Sequence, residues 1–262
     1  MDHDSVQDSP EFKQRRRGIY LLPNLLTTAA LFAGFYAIVA AMGGRFQAAA
    51  IAVFVAMVFD GLDGRVARLT NTQSDFGTQY DSLSDMVSFG LAPALVMYEW
   101  SLVHLISAGW FWGKLGWLAA FVYAAGAALR LARFNTQVST ADKRYFQGLP
   151  SPSAAAVVAG LVWVGADLGL NGADFMFPAL VVTATVGILM VSNIRYYSFK
   201  DLDLRNKVPF MAVFAVVLVF VLISIDPPKV LFSLFLLYTL SGPAMYLIRA
   251  YRKRGTRKVD AR

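Results

Sequence analysis

Long apolar stretches separated by short polar segments dominate the hydrophobic pattern of this chain. Eight of them approach the roughly 20 residues that an α-helix needs to cross the hydrocarbon core of a bilayer. They are approximately 20–42, 46–69, 79–99, 115–134, 153–170, 175–194, 208–225 and 229–248. The pattern predicts an all-α, polytopic membrane bundle of about eight transmembrane helices, formed by a single domain at residues 15–249.

The composition also indicates a membrane protein. Of the 262 residues, 57% are hydrophobic and only 16% are charged, whereas a soluble domain carries about 25% charged residues. Residues 1–14 are polar and lack the basic start and apolar core of a signal peptide, so we expect a disordered tail there. A basic tail is expected at residues 250–262. The chain contains no cysteine, which excludes disulfides and thiolate metal sites.

Lysines and arginines are distributed unevenly over the predicted loops. Of the 24, all except Arg45, Lys114 and Lys229 fall on the side that holds the two termini. This excess predicts a multi-pass protein of the cell membrane with both termini in the cytoplasm. A basic cytoplasmic surface is typical of contact with anionic membrane lipids, and we favour that explanation of the net charge of +7 over nucleic-acid binding.

Four aspartates stand in two pairs near the cytoplasmic side. Asp60 and Asp63 lie three residues apart towards the end of the second predicted span, and Asp81 and Asp85 lie four apart near the start of the third. These spacings place each pair on one helical face, so two antiparallel helices would present both pairs at matching depth. Carboxylates inside membrane helices are costly and are rarely only structural.

The negative charge of this cluster requires protons, water or cations, because Arg65 and Arg68 could offset two charges at most. Oxygen ligands without cysteine or a nearby histidine fit hard divalent ions such as Mg²⁺ or Mn²⁺. Four convergent aspartates are enough to hold two divalent cations of the kind that assist phosphoryl transfer.

Glycines and a fifth aspartate flank the two pairs. Gly61, Gly64 and Gly77 lack side-chain bulk, and we expect them to let helices or a ligand approach closely. Asp75 does not belong to the predicted site, because with Ser74 it forms a typical start of the next helix.

The spacing of these residues resembles a family signature. Between Asp60 and Asp85 the chain matches every fixed position of D-x2-D-G-x2-A-R-x8-G-x3-D-x3-D, and it is thereby similar to the CDP-alcohol phosphotransferases. The resemblance implies a homodimeric membrane enzyme that depends on divalent metal. The stretches RRRGIYLLPNLLTTAALFAGFYAI, ALRLARFN, FQGLPSPSAA and LMVSNIRYYSFK resemble the branch that transfers a phosphatidyl group from CDP-diacylglycerol to L-serine.

Residue roles follow from this resemblance. Asp60, Asp63 and Asp81 resemble metal ligands, and Asp85 resembles the residue that completes the metal site and acts as the catalytic general base. The resemblance and the neighbouring positions imply nucleotide contacts for Gly64, Arg68, Gly77, Asn24 and Thr27.

Serine also needs a binding group, since its carboxylate calls for a cation. Arg130 and Arg133, at the cytoplasmic end of the fourth predicted span, and Arg195 are the candidates for acceptor binding. An arginine fork suits a carboxylate or a phosphate equally well, and each of these residues could instead anchor a helix end at the lipid headgroups.

Two other functions remain open from the sequence. The same chemistry could use glycerol 3-phosphate, inositol phosphate or choline as the acceptor, although a phosphorylated acceptor would want a denser basic pocket. A divalent-cation transporter would distribute its acids across the membrane depth, whereas the four aspartates here lie at one level.

Overall fold

The computed structural model describes residues 10–137, 145–197 and 210–259, and this part of the chain is almost entirely helical. Short 3₁₀ turns at Leu102–Ala108 and Gly172–Phe175 and a π-helical segment at Met86–Leu91 interrupt or join the α-helices. The α-helices are α1 (Pro10–Met42), α2 (Phe46–Leu69), α3 (Asp75–Asp85), α4 (Ala92–Trp100), α5 (Trp110–Gln137), α6 (Ser151–Asp167), α7 (Met176–Val191), α8 (Phe210–Ile225) and α9 (Pro227–Val259).

Helices lie at all eight predicted stretches, but they differ in length. Within the described residues, five helical segments are long and apolar enough to cross a membrane. The segment from Asp75 to Ala108, bent by 41°, would be a sixth. Helix α6 has 17 residues and α8 has 16, fewer than the roughly 20 that a full span needs. The all-α polytopic fold is therefore confirmed, whereas the number of eight spans is not.

Helices α1 and α2 pack closely against each other, and both are rich in small residues. Buried alanines lie on each of them: Ala33, Ala37, Ala40, Ala49, Ala52 and Ala56. Inside a bilayer, burying a large apolar side chain between two helices gains little, because the lipid is equally apolar. Transmembrane helices therefore associate through small residues that let their backbones approach closely. This packing fixes α1 beside the aspartates at the end of α2.

Helix α1 also lies directly against the π-helical segment. A Cβ atom added at Gly34 would lie 2.6 Å from the Ser88 Oγ and 2.7 Å from the Ser88 Cα. No side chain fits there without a shift of the backbone. Gly34 therefore sets how closely α1 approaches the chain that follows Asp85.

Two three-residue strands, β1 (Tyr145–Gln147) and β2 (Arg195–Tyr197), form an antiparallel pair that the sequence did not predict. The Tyr196 ring is fully buried against α9, where a Cβ atom at Gly242 would lie 2.4 Å from it. Aromatic residues favour strands, but three residues are too few for a visible alternating pattern. The pair ties the start of α6 to the end of α7.

Both predicted tails overlap with helices. Helix α1 begins at Pro10, within the segment expected to be a disordered tail, and residues 1–9 fall outside the described residues. Helix α9 continues to Val259, into the predicted basic tail.

Candidate active site

Three of the four aspartates converge. Asp60 and Asp63 from α2 and Asp81 from α3 each place a carboxylate oxygen so that the three atoms lie within 4.8 Å of one another. Asp63 is 5% exposed, and Asp60 and Asp81 are half-buried. Three carboxylate oxygens at this separation fit a hard divalent cation. The two helices thus bring both predicted pairs to one place.

Asp85 is attached to this cluster through Asp60. The two carboxyl groups are in hydrogen-bond contact. Two carboxylates in contact need a proton or a cation between them, because both cannot stay charged there unaided. The positive charge of Arg130, on α5, also interacts with Asp85. Asp85 therefore contacts the aspartate cluster through Asp60 and also interacts with the charge of Arg130.

Thr27 of α1 connects the two acidic pairs. Its hydroxyl donates a 2.7 Å hydrogen bond to the Asp63 Oδ2, and its own carbonyl accepts a 3.2 Å bond from the Ser84 Oγ, one residue before Asp85. All three side chains are buried. Because α2 and α3 are both bonded to this one residue, Thr27 fixes the two pairs relative to each other. The resemblance implies that Thr27 lies near the nucleotide, which stays a prediction; in the structure its hydroxyl bonds to Asp63.

Asn24 and Gly77 are neighbours at the start of α3. The Ser74 Oγ accepts a 3.0 Å bond from the Gly77 N–H, which confirms the predicted N-cap, and Asp75 is an exposed first-turn residue. A Cβ atom at Gly77 would lie 3.1 Å from the Ser74 Oγ and 3.5 Å from the Asn24 Oδ1. A larger residue would crowd both the cap and Asn24.

Gly64 and Arg68 lie one turn apart on α2. Arg68 is exposed, and its charge interacts with Asp63. A Cβ atom at Gly64 would come no nearer than 3.7 Å to Arg68, and one at Gly61 would meet no described atom within 4 Å. Of the two alternatives expected for these glycines, close approach of a helix is therefore wrong among the described residues, and close approach of a ligand stays a prediction. They leave open space beside the acids, where a ligand could lie.

Of the three arginines predicted to bind the acceptor substrate, Arg130 is the one that lies near the aspartates. Its Nη1 donates a 2.7 Å hydrogen bond to the Ser151 Oγ at the start of α6. Its Nε is buried and has no hydrogen-bond partner among the described residues. A buried guanidinium with a spare donor beside Asp85 is suited to bind an anionic group.

Arg133 and Arg195 lie in a different environment. The Arg133 Nη1 is 3.5 Å from the Asn193 Oδ1, which also accepts a 2.8 Å bond from the Gln147 Nε2. Arg195 is exposed on β2, opposite Gln147. These contacts join α5 to the strand pair.

Sequence reasoning missed the hydroxyl groups that hold α3 and the π-helical segment. Ser84 and Ser88 donate to the carbonyls of Thr27 and Ala30, at 3.2 and 3.1 Å. Tyr123 donates to the Phe89 carbonyl at 3.0 Å. The sequence did contain a signal for these contacts, because Ser84 and Ser88 lie four residues apart on one face of an apolar helix. Hydroxyl groups that are buried in this way need hydrogen-bond partners.

Comparisons with known proteins agree with this site. A family model for CDP-alcohol phosphatidyltransferases matches residues 20–192, a range that contains all four aspartates. The chain is 36% identical over 222 residues to the CDP-diacylglycerol–serine O-phosphatidyltransferase of Helicobacter pylori, covering 84% of this chain and 90% of that protein.

Two further relatives are shorter matches. A protein of the same name from Mycobacterium bovis is 38% identical over 188 residues, covering 68% of this chain and 62% of that protein. The archaetidylserine synthase of Methanothermobacter thermautotrophicus is 35% identical over 177 residues, covering 67% and 69%. Through the family match and these relatives, the chain belongs to the CDP-alcohol phosphatidyltransferase family.

Proposed function

We propose that this protein transfers the phosphatidyl group of CDP-diacylglycerol to the hydroxyl of L-serine, forming phosphatidylserine and CMP. The observation that carries the proposal is the cluster of Asp60, Asp63 and Asp81 between α2 and α3, three fixed residues of the family signature, which lies within the range matched by the family model. Serine is favoured as the acceptor because the similar proteins named above are serine transferases or make a serine lipid.

Divalent cations are the proposed cofactors, as in the family to which the chain belongs. Asp60, Asp63 and Asp81 would hold a cation, and Asp85 adds a fourth carboxylate against Asp60, enough for two Mg²⁺ or Mn²⁺ ions. Bound there, the ions would offset the charge of the pyrophosphate and of the departing CMP.

Asp85 is the proposed general base. The serine oxygen attacks the β-phosphorus, the bond from that phosphorus to the CMP oxygen breaks, and the hydroxyl proton passes to the Asp85 carboxylate. His104 does not lie beside the aspartates, because it is exposed in the 3₁₀ turn at Leu102–Ala108, next to the start of α5. Arg130, which is near Asp85, lies towards the opposite end of α5. His3 falls outside the described residues.

The nucleotide half of CDP-diacylglycerol would lie over the end of α2 and the start of α3. Arg68 is exposed there and can bind a phosphate, and Gly64 leaves room for it. Asn24 and Gly77, side by side, would contact the nucleotide on the α1 side. Thr27 would act indirectly, through Asp63.

The serine carboxylate would bind Arg130. Since the Arg130 charge already interacts with Asp85, a serine held by its carboxylate would have its hydroxyl close to the base. Arg133 and Arg195 would contribute from the strand pair, where they could also hold a phospholipid headgroup.

The site would face the cytoplasm of a bacterial-type inner membrane. The excess of lysine and arginine beside the termini supports this orientation and contact with anionic lipids. A homodimer is proposed from the family resemblance.

Incorporation of radiolabelled serine into lipid by the purified protein tests the proposal. We expect label in phosphatidylserine only when CDP-diacylglycerol and Mn²⁺ or Mg²⁺ are both present. CMP release is then compared with serine, glycerol 3-phosphate, inositol phosphate and choline as acceptors. Release that is faster with any acceptor other than serine would contradict the assignment of the acceptor, and no release with any of them would contradict the reaction.

A further inference from the structure

The chain directly after Asp85 departs from α-helical geometry. Met86–Leu91 is a π-helix, at the end of which the Ala92 N–H bonds to the Val87 carbonyl, five residues earlier. Such segments are rare and frequently occur at functional sites. Because a π turn contains more residues than an α turn, it rotates the helix before it relative to the helix after it. The direction in which Asp81 and Asp85 point thus depends on this segment.

Pro93 leaves the Phe89 carbonyl without its usual partner. In an α-helix that carbonyl would accept a bond from the N–H of residue 93, and proline has none. The Tyr123 hydroxyl of α5 does donate to the Phe89 carbonyl, at 3.0 Å. Tyr123 and Phe89 are both fully buried, so no solvent could replace this bond.

Tyr123 is itself held firmly by α7. A Cβ atom at Gly187 would lie 2.8 Å from the Tyr123 Cα, and one at Gly126 would lie 2.5 Å from the Gly187 carbonyl oxygen. The backbones of α5 and α7 are therefore in direct contact at this level. The hydroxyl is presented by a rigid pair of helices.

The opposite side of the π-helical segment is bonded to α1. Ser88 donates to the Ala30 carbonyl at 3.1 Å, and Gly34 allows the close approach. The segment is thus fixed from two sides, by α1 through Ser88 and by α5 through Tyr123. Bonds on two sides oppose rotation of the segment, and thereby of the helix before it, which carries Asp81 and Asp85.

We propose that Tyr123 is a positioning residue for the metal site. By bonding to the Phe89 carbonyl, it holds the π-helical segment in the form that turns Asp81 and Asp85 towards Asp60 and Asp63. Tyr123 touches neither substrate nor metal and acts through the backbone. The inference rests on the proposed function for the nature of the site, but it can be measured by metal binding alone.

Tyr123→Phe in the full-length protein removes the hydroxyl and keeps the ring. We expect the Mn²⁺ affinity, measured from the electron paramagnetic resonance signal of free Mn²⁺, to fall roughly tenfold, as for other residues that orient metal ligands. The kcat should fall to a similar extent, while the KM for serine changes little, because Arg130, the proposed binding group for serine, is untouched.

Tyr196→Phe is the matched control. Tyr196 is also fully buried, and its hydroxyl donates to the Thr239 carbonyl at 3.1 Å. Burial raises the pKa of Tyr196 to about 12, so the hydroxyl stays protonated at neutral pH. The control should lose as much thermal stability as Tyr123→Phe and keep its Mn²⁺ affinity and kcat.

Unchanged Mn²⁺ affinity and kcat in Tyr123→Phe would overturn the inference, and so would equal losses in the two tyrosine variants. If the wild-type protein binds Mn²⁺ and Tyr123→Phe binds it more weakly, but neither makes phosphatidylserine, the proposed function fails and the positioning role stands.

The double variant Pro93→Ala/Tyr123→Phe tests whether the metal site needs the bond from Tyr123 itself or only some hydrogen-bond donor for the buried Phe89 carbonyl. Alanine at position 93 supplies an N–H that can bond to the Phe89 carbonyl. We expect thermal stability to recover relative to Tyr123→Phe while the Mn²⁺ affinity stays low, because the link to α5 is still missing. Recovery of the Mn²⁺ affinity would show that any donor suffices and would overturn the positioning role.

Discussion

At the scale of single residues, the aspartates have unequal surroundings although their spacing is regular. Asp63 accepts a hydrogen bond from Thr27, whereas Asp85 contacts Asp60 and the charge of Arg130. Asp63, whose carboxylate accepts a bond from a neutral hydroxyl, is suited to hold a metal. Asp85, which has a second carboxyl group and an arginine as neighbours, is suited to exchange a proton. The two helical pairs therefore do not correspond to two identical halves of a site.

Asp85→Asn tests the base. Asparagine keeps the size of the side chain but cannot accept the serine proton, so turnover should fall by about 10²–10⁴-fold while CDP-diacylglycerol still binds. Phosphatidylserine formation and equilibrium binding of CDP-diacylglycerol are the two measurements. Asp75→Asn, at the exposed start of α3, is the control and should keep near-normal activity. Near-normal activity of Asp85→Asn would remove it from this role.

Arg130→Lys tests the acceptor site. Lysine keeps the positive charge but lacks the fork of donors that can bind Ser151 and a carboxylate together. We expect the KM for serine to rise roughly tenfold, the cost of about one charge-assisted hydrogen bond, and the KM for CDP-diacylglycerol to change much less. Arg65→Lys, exposed on α2, should change neither KM. Equal increases in both KM values would indicate a structural role for Arg130.

At the scale of elements, α1 and α5 both bond to the stretch formed by α3 and the π-helical segment. Helix α1 contributes Gly34 and two carbonyls, which accept bonds from Ser84 of α3 and Ser88 of the π-helical segment, and α5 contributes Tyr123. Hydrogen bonds of this kind fix helices in rotation as well as in distance, which packing of alanines alone does not do. The small residues of α1 and α2 bring the helices close, and the hydroxyl groups set their register.

Gly34→Ala tests how much this approach matters. The new Cβ would lie 2.6 Å from the Ser88 Oγ and 2.7 Å from the Ser88 Cα, so α1 must move away from the π-helical segment. We expect a loss of about 1–3 kcal/mol in the free energy of unfolding in detergent, and reduced activity. Gly43→Ala is the control, since its Cβ would lie 3.5 Å or more from the surrounding described atoms. Equal stability of the two variants would contradict the close contact.

At the scale of the whole molecule, the helices place the aspartates at one level of a multi-pass membrane protein. Asp60, Asp63 and Asp81 share a cluster of oxygens no wider than 4.8 Å, on two helical segments that are long and apolar enough to cross a membrane. A transporter would need ligands at several depths, so this arrangement favours catalysis at one surface. The enzyme can then meet a lipid substrate in the membrane and a polar substrate from water.

The absence of cysteine makes the orientation easy to measure. Gln73→Cys lies in the turn beside the aspartates, and Ser107→Cys lies in the loop near the other end of the bundle; both positions are exposed. In intact cells, a membrane-impermeant thiol reagent should label Ser107→Cys and should label Gln73→Cys only after permeabilisation. The opposite labelling pattern would contradict a cytoplasmic active site.

The sequence by itself determined the class of fold, the family and the residue types of the site. Hydropathy and the i,i+3 and i,i+4 spacings of Asp60, Asp63, Asp81 and Asp85 are properties of near neighbours along the chain, and a bilayer admits few alternatives to helices. The number of full spans was not determined, because a 17-residue helix such as α6 can be packed within the bundle instead of crossing a bilayer alone.

Only the tertiary structure decided which groups meet. Thr27 reaches Asp63 across 36 positions of sequence, and Tyr123 reaches Phe89 across 34. Such contacts depend on the rotation and register of helices against one another, which no local pattern contains. The sequence placed four acids on two helices. The packing of α1 and α5 against those helices turned three of the acids into one cluster and left Asp85 beside Arg130.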